Sequence, residues 1–236
     1  IYGSDEVGIQ AQGGGKHKYV FGGRKKAAPY QQRAGTRDNI TVIVTICADG
    51  TSTPPATIFK GSAYQVKWGE NNPLNALIGY QQKGWTDGEI GAAWMKIFEE
   101  QAQEKANREY RLLVIDGHNL HYTVALLLLV RLHQIIVICY PAHGTHIYQG
   151  LDVVIFVILK LLLSKERNKL LQDTGKAINK SNFLSVITNT YRQALTPGNI
   201  KTAFRKTGIH PFNPDVVTPD MLAPSKETSL EANLPV

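Results

Sequence analysis

The sequence predicts a mixed α/β domain in which helices pack against a sheet. A β-branched and almost entirely apolar run, ITVIVTICA at Ile40–Ala48, is typical of a buried strand. Farther along, between residues 86 and 139, segments with helical spacing alternate with short apolar segments, the order found when helices cover a sheet. Hydrophobic residues make up 43% of the 236, which is enough for a sizeable core and excludes a wholly disordered chain.

The first half of the chain contains one clear pair of strands. Seven glycines in residues 1–24 predict a turn-rich start with short strands at most. After the strand at Ile40–Ala48, Asp49-Gly50 predicts a turn, and ATIFK at Ala56–Lys60 predicts the antiparallel return strand. No hydrophobic period is visible between Gly61 and Gly84.

The second half alternates helices and strands. Thr86 and Glu89 have the spacing of a capping box, and the apolar residues that follow predict a helix to about Ala106. Pro197 and Gly208 have the positions expected at the start and stop of a later helix, Gly198–Thr207. The other predicted elements are strands at Arg111–Ile115 and Ile135–Cys139 and helices at Thr123–Leu132 and Leu151–Leu171.

The most apolar stretch of the chain, Thr123–Tyr140, does not predict a membrane span. Arg131 lies near its middle, and an Arg at the centre of a spanning helix costs about 2.5–3.5 kcal/mol. Two buried elements separated by a polar turn explain the stretch better. The chain begins at Ile1 without a charged and then apolar leader, so no signal peptide is expected and the sequence is interpreted as a fragment of a longer protein.

The charge distribution points to a polyanionic partner. The formal net charge is +7, and residues 7–37 and 174–214 contain seven and six basic residues, respectively, without any acid. Such runs are most often associated with nucleic acid, although a solvated basic surface is the alternative. Only two cysteines are present, which excludes a disulfide-dense scaffold and a cysteine-built zinc module and favours a reducing compartment.

Three acids occupy positions where carboxylates could serve a metal ion. Asp116 follows a predicted buried strand, at the end of a sheet where ligands bind in α/β proteins. Asp152 begins the long predicted helix, and Asp5 lies near the start of the chain. Oxygen ligands from separate elements suit Mg²⁺, including two-ion sites for phosphoryl transfer. The alternative is that these acids cap a helix, cap a turn and lie in a solvated loop.

The histidines and the glycine-rich start allow two other sites to be considered. His118-x-x-His121 and His143-x-x-His146 could bind zinc, but neither pair contains the Glu of a zinc protease motif. Histidines beside a carboxylate site, contacting phosphates or carrying protons, fit the pattern better. A P-loop is excluded because Gln10 stands where its first glycine belongs and His17 follows Lys16.

Longer motifs resemble one family. LLVIDGHNLH at Leu112–His121 and CYPAHGTHIYQGLDVVIF at Cys139–Phe156 are similar to the DDE superfamily endonuclease domain of pogo/Tigger-type transposases, which belong to the mariner superfamily. SDEVGI at Ser4–Ile9, TVIVTICADG at Thr41–Gly50 and FRKTGIHPFNP at Phe204–Pro214 support the resemblance in the same order. The similarity covers essentially the whole chain and is greatest to transposase-derived proteins of fungi.

The resemblance implies a fold, a reaction and a set of site residues. The implied fold is RNase-H-like, a mixed sheet flanked by helices. The implied catalytic and metal-binding triad is Asp5, Asp116 and Asp152, with Mg²⁺ or Mn²⁺ as cofactor. The implied reaction hydrolyses phosphodiester bonds at DNA ends and continues to strand transfer without a covalent protein–DNA intermediate.

The expected organisation and partners follow from the same resemblance. Residues 1–212 are expected to form the catalytic domain and residues 213–236 a loosely ordered, acidic, proline-containing tail, with the family's upstream helix-turn-helix region absent. The expected partner is DNA in the nucleus; a homodimer is considered, and neither a membrane nor a small-molecule substrate is expected. Candidate DNA contacts are Lys16, Lys18, Arg24, Lys25, Lys26, His118, His143 and His146.

Two other functions stay open at this point. One is a transposase-derived protein that has lost catalysis and acts by binding DNA or a partner, with a dimer face at Leu126–Val130 or Val153–Leu163. The apolar character of these two segments, unbroken in the first and interrupted only by Lys160 in the second, favours it. The more distant alternative is a zinc-dependent hydrolase.

Overall fold

The computed structural model describes residues 1–11, 39–82, 88–117, 124–141 and 144–221. Within them, six strands form one mixed sheet in the order β4-β3-β2-β1-β5-β6. The strands are β1 (Tyr2–Gln10), β2 (Asn39–Cys47), β3 (Ala56–Lys60), β4 (Leu77–Gln81), β5 (Arg111–Ile115) and β6 (Ile135–Cys139). β2 pairs antiparallel with β1 and β3, whereas β1–β5, β5–β6 and β3–β4 are parallel.

Helices connect the parallel strands and cover the sheet. They are α1 (Gly88–Ala102), α2 (Val124–Leu132), α3 (Thr145–Tyr148), α4 (Phe156–Thr174), α5 (Phe183–Ala194) and α6 (Pro197–Lys206). A π-helical turn at Leu151–Ile155 runs directly into α4. Across the described ranges, no helix combines the length and the apolar composition that crossing a membrane requires.

The alternating side chains of the strands build two cores, one on each face of the sheet. On one face, Val42 and Val44 of β2 belong to a cluster with apolar residues of α4, α5 and α6. On the other face, Ile43 and Cys47 of the same strand pack with residues of α1, including Phe98. Successive residues of a strand point to opposite faces, so the apolar run of β2 is explained by burial on both sides.

A buried ionic network ties α1 to the parallel strands. Arg111 begins β5, and its Nη1 lies 3.3 Å from Oε1 of Glu99 on α1. The Nδ1 atom of His133 lies 3.2 Å from the same carboxylate oxygen, and Arg111 Nη2 donates to the His133 carbonyl. The charged groups of Arg111 and Glu99 are buried, so each is the partner that makes burial of the other tolerable.

The predicted mixed sheet is confirmed, as are the strands at β2, β3, β5 and β6 and the antiparallel return of β3. The prediction of short strands at most in the first residues was wrong, because β1 runs for nine residues. Its backbone is held between β2 and β5, and this pairing outweighs its glycines and acids. β4 and α5, for which no element was predicted, also form.

The apolar stretch after residue 123 differs from the prediction in its burial. It does form two elements, α2 and β6, with a turn at His133 and Gln134 between them. However, Leu132 of α2 is 78% exposed, and Ile136 and Ile138 of β6 are each about half exposed. Ile136 and Ile138 lie on the same face of β6, so this face has no full covering layer among the described residues.

Candidate active site

Two neighbouring parallel strands bring the first two acids together. The register of β1 and β5 pairs Ser4 with Ile115, the last residue of β5. Asp5 and Asp116 each follow directly after this pair, on strands that neighbour each other at a spacing of about 4.8 Å. Residues two apart in a strand point to the same face, so Asp5 lies on the face of the sheet that carries Val7 and the core formed with α4, α5 and α6.

The third acid is delivered to the same face by the π-helical turn. Asp152 is the second residue of this turn, which contacts both β1 and α6. The turn can approach α6 closely because residue 150 is Gly: a Cβ there would lie 2.8 Å from the Ala203 carbonyl oxygen. π-helical turns inside helices are frequent at functional sites, and here the turn precedes the regular helix α4.

The carboxyl groups of the three acids interact electrostatically. Burial, followed by repulsion from the Asp152 charge, raises the pKa of Asp5 to about 8. Burial also raises the pKa of Asp152, with a further contribution from Asp116 and an opposing one from the Lys160 ammonium. Three carboxyls from distant parts of the sequence thus share one partly buried environment. A site that concentrates negative charge in this way attracts a cation or a proton.

A buried glutamine beside Asp5 was missed by the sequence reasoning. Gln149 is 1% exposed, and neither its Nε2 nor its Oε1 has a hydrogen-bond partner in the described part of the chain. The side-chain amide is nevertheless near enough to Asp5 to oppose the rise in that residue's pKa. The backbone of Gln149 is held on both sides, since its N–H donates to Thr145 and its carbonyl accepts from Val153. The sequence signal was its position three residues before Asp152.

Tyr140 and Lys160 also belong to this environment and were not predicted. Tyr140 follows β6, and burial together with the charges of Asp5 and Asp152 raises the pKa of its phenol well above the usual range. Lys160 lies two helical turns after Asp152, and its Nζ is 6.0 Å from the centre of the Phe156 ring. Its only sequence signal was that it is the single polar residue within Val153–Leu163.

The predicted DNA contacts are largely outside the described residues. Lys16, Lys18, Arg24, Lys25, Lys26, His118 and His143 all fall there, as do His121 and the predicted cap Thr86. His146 lies on α3 and is exposed. The DNA-contact roles assigned to these lysines, arginines and histidines stay predictions, as do the catalytic roles of Asp5, Asp116 and Asp152.

Whether the acids suit a divalent ion can be judged from their chemistry and placement. Within the described ranges, no three His, Cys, Asp or Glu side chains are grouped closely enough to hold a metal ion as they stand. The donors themselves fit: carboxylate oxygens are the ligands that Mg²⁺ and Mn²⁺ prefer. The mutual repulsion of Asp5 and Asp152, and the unpaired amide of Gln149, are features that a bound cation and its water would relieve.

The comparison that decides the family is a match to a family model. The model described as "DDE superfamily endonuclease" matches residues 37–204, which include Asp116 and Asp152. The chain belongs to this family. The DDE assignment from the sequence is therefore confirmed, whereas the pogo/Tigger subtype stays a prediction. Enzymes of the DDE endonuclease superfamily generally use divalent metal ions.

The relatives of this DDE endonuclease domain include a fungal protein and solved transposases. The chain is 30% identical over 218 residues to "MFS-type transporter clz9" of Cochliobolus lunatus, covering 92% of this chain but 24% of that protein. The structure "Crystal structure of a pre-cleavage Mos1 transpososome" matches with a TM-score of 0.50 at 11% identity, over 88% of this chain and 55% of that one. A "Mos1 transposase paired-end complex with left transposon end" matches with a TM-score of 0.48 at 11% identity, over 86% and 55%.

The match with a TM-score of 0.50 confirms the fold and shows nothing about function. The mixed six-stranded sheet flanked by helices is the RNase-H-like fold of the Mos1 transposase, as the resemblance implied. At 11% identity the likeness shows the fold alone. The chain spans about a quarter of the curated relative and about half of the solved transposase chains.

Proposed function

We propose that this chain is the catalytic domain of a DDE transposase, a metal-dependent endonuclease and strand transferase that hydrolyses phosphodiester bonds at DNA ends. One observation carries the proposal: Asp5 and Asp152, 147 positions apart in sequence, lie close enough for their charges to repel, in the fold of this family. Carboxylates delivered from a central strand and a covering helix are what phosphoryl transfer with divalent ions requires.

Asp5, Asp116 and Asp152 would hold Mg²⁺ or Mn²⁺ in this function. When bound, the ion supplies the lowered pKa of a water molecule and the stabilisation of negative charge on the phosphate. Gln149 is suited to orienting Asp5, because its buried amide can donate to the carboxylate and accept from a water molecule at the same time. Tyr140 helps to exclude solvent from the acids, and Lys160 offsets part of their charge.

DNA is the proposed partner and the nucleus the proposed location. The solved neighbour with a TM-score of 0.50 is a pre-cleavage Mos1 transpososome, and the net charge of +7 suits a polyanion. The basic run at residues 7–37 and the histidines near Asp116 and Asp152 remain the proposed contacts along the DNA backbone. Nuclear placement follows from the substrate.

A second candidate function is a DNA-binding or interaction protein on the same fold that has lost catalysis. Exposed apolar side chains favour it: Leu128 and Leu132 of α2 and Ile136 and Ile138 of β6 lie on adjoining elements, and Val157 and Leu161 are exposed on α4. Apolar surface of this kind marks an interface more often than a free surface. This candidate predicts DNA binding without metal-dependent nicking, and a homodimer in solution.

Mn²⁺ binding to the purified chain is the deciding experiment. The variants are Asp5→Asn, Asp116→Asn and Asp152→Asn, with Asp173→Asn on the exposed end of α4 as the matched control. We expect each of the three acid variants to bind Mn²⁺ at least tenfold more weakly than the wild type, with the control unchanged, as measured by the signal of free Mn²⁺ in electron paramagnetic resonance.

A nicking assay on a supercoiled plasmid then separates the two candidate functions. Metal binding that depends on all three acids, followed by nicking that Asp116→Asn abolishes, supports the endonuclease. Metal binding that is absent, or that the three substitutions leave unchanged, would leave the non-catalytic protein as the better account.

A further inference from the structure

A basic site lies farther along the sheet from the three acids. A surface cavity of about 450 Å³ is lined by Ala48 and Asp49 after β2, by Lys201 and Arg205 of α6, and by His210 and Pro211. β2 runs antiparallel to β1, and Asp5 is opposite Val44. From Val44 to Ala48 is four residues, so the cavity begins about 13 Å along the strand from the acid site.

The single carboxylate in this cavity is already neutralised. Asp49 forms an ion pair with Lys105, and its Oδ1 accepts from the backbone N–H and the hydroxyl of Thr51 at 2.9 and 2.8 Å. Although burial acts in the opposite direction, Lys105 and Thr51 hold the pKa of Asp49 well below its usual range. The charge of Asp49 is therefore balanced by Lys105 and does not neutralise Lys201 or Arg205.

The two α6 cations that line the cavity have no acidic partner in the described part of the chain. Neither Lys201 nor Arg205 forms an ion pair with any described residue, and the Arg205 guanidinium donates to the Thr202 hydroxyl at 3.1 Å. The two residues are four apart, so they lie one turn above each other on the same side of the helix. Both residues line the cavity and are exposed.

The positions of these cations are set by packing. α6 buries Ile200, Ala203 and Phe204 in the core, and the Thr196 side chain caps its start by accepting from the Asn199 N–H. The Lys201 stem crosses the turn after β2 at Gly50, where φ is +100° and an added Cβ would lie 2.9 Å from Lys201 Cε. A glycine at this turn thus makes room for the lysine at the cavity edge.

We propose that Lys201 and Arg205 bind a backbone phosphate group of the DNA whose reacting end lies at Asp5, Asp116 and Asp152. This inference rests on the proposed function, since it supplies a second anchoring point for the same substrate. A distance of about 13 Å corresponds to roughly four base pairs at 3.4 Å each, so one short duplex reaches both sites. Two pre-positioned cations that have no acidic partner among the described residues can provide charge-assisted hydrogen bonds to phosphate oxygens.

The test is the salt dependence of DNA binding by the full chain. Fluorescence anisotropy with a labelled 20-base-pair duplex, in EDTA so that no metal-dependent cleavage occurs, gives Kd between 50 and 300 mM NaCl. Because the loss of one phosphate contact reduces the slope of log Kd against log salt by about 1, and both cations bind the same phosphate, Lys201→Gln/Arg205→Gln should reduce it by about 1. The matched control is Lys165→Gln/Lys169→Gln, a second exposed pair four apart on α4.

The controls distinguish failure of this inference from failure of the proposed function. The charge-conserving variant Lys201→Arg/Arg205→Lys should restore most of the slope, and unchanged melting temperatures exclude misfolding. Equal effects of the two Gln pairs, or no effect of either, would overturn the cavity assignment while leaving DNA as a partner. No DNA binding by the wild type at 50 mM NaCl would overturn the proposed function itself.

Titration with inorganic phosphate distinguishes a DNA backbone phosphate from a free phosphate compound as the ligand of this cavity. Suppose that the Gln variant loses binding of millimolar phosphate but keeps the DNA affinity and the salt slope of the wild type. The cavity then binds a free phosphate compound, and the DNA assignment is wrong. Loss of DNA affinity in the Gln variant, with weak or absent phosphate binding in the wild type, supports the backbone contact.

Discussion

The carboxyl of Asp5 lies within electrostatic reach of Asp152, and their repulsion adds to burial in raising the pKa of Asp5 to about 8. The two residues come from a central strand and from the start of a helix, and β1 contacts the π-helical turn directly. Like charges are held together in a folded protein at the expense of stability. The free energy that this arrangement costs is available to a ligand that neutralises it.

The stability of the metal-free chain should therefore depend on pH through Asp5. Its folded-state pKa of about 8 is above the value of about 4 in the unfolded chain, so the folded state holds the extra proton between these pH values. The contribution of protonated Asp5 to the free energy of unfolding is fully present below pH 4 and is lost as the pH rises toward 8. We expect Asp5→Asn to be more stable than the wild type at pH 8, by on the order of 2 kcal/mol, or about 4–8 °C in Tm.

Thermal unfolding in EDTA at pH 5 and pH 8 checks this expectation. The difference in Tm between Asp5→Asn and the wild type should be larger at pH 8, whereas Asp173→Asn, on the exposed end of α4, should follow the wild type at both values. If the Tm of the wild type instead increased relative to that of Asp5→Asn as the pH rises, the ionised Asp5 carboxyl would not be destabilised by its surroundings.

Gln149→Leu should increase stability and weaken metal binding. Both polar atoms of the Gln149 side chain are buried without a partner among the described residues, and each such group costs about 1–3 kcal/mol. Leucine removes that cost at similar volume, so Tm should rise by several degrees. Mn²⁺ affinity should fall about tenfold or more, as when residues that orient metal ligands are replaced. Calorimetry and titration with Mn²⁺ measure the two effects.

Gln172→Leu, on the exposed part of α4, is the control for this pair of effects, with no change expected in Mn²⁺ affinity. A lower Tm in Gln149→Leu would indicate that the amide stabilises the metal-free fold. Unchanged Mn²⁺ affinity would remove Gln149 from the site.

Glu99→Ala should be among the most destabilising single substitutions. It leaves Arg111 buried without its carboxylate, which typically costs 3–5 kcal/mol, whereas Glu100→Ala on the exposed side of α1 should cost less than about 0.5 kcal/mol. Urea unfolding gives both values. The double variant Glu99→Leu/Arg111→Leu should be more stable than Glu99→Ala alone, because it leaves no unpaired charge; the opposite order would contradict this account of the pair.

Gly150→Val should affect stability and metal binding together. Its side chain would meet the Ala203 carbonyl, a backbone group that cannot rotate away, so the π-helical turn and α6 must separate. We expect a loss of about 1–3 kcal/mol and weaker Mn²⁺ binding, because Asp152 lies on the displaced turn. Gly198→Ala on α6, where an added Cβ meets nothing within 4 Å, should be neutral or slightly stabilising. Equal behaviour of the two glycine variants in urea unfolding would disprove the close contact.

The spacing of apolar residues predicted the strands and helices in which the same faces are buried along the whole element. β2 is buried on both faces and therefore has an unbroken apolar run, and α6 has a proline start and an amphipathic core face. β1 was missed because a strand with Gly3, Gly8 and two acids has no such pattern; pairing with β2 along its whole length makes it a strand. Leu132 and Ile136 were expected to be buried because apolar character alone does not show which face lacks a neighbour.

The sequence by itself determined the chemical types available to this DDE domain: three acids in separate segments, two basic runs, and motifs similar to those of the DDE family. Only the tertiary structure decided which groups act on each other. Strand register places Asp5 beside Asp116, and the packing of Gly150 against α6 positions the turn that carries Asp152. Among the described residues, it also buries the Gln149 side chain without a hydrogen-bond partner and leaves Lys201 and Arg205 without an acidic one. The physical reason is that burial and charge interactions depend on distances between elements, which spacing along the chain does not specify.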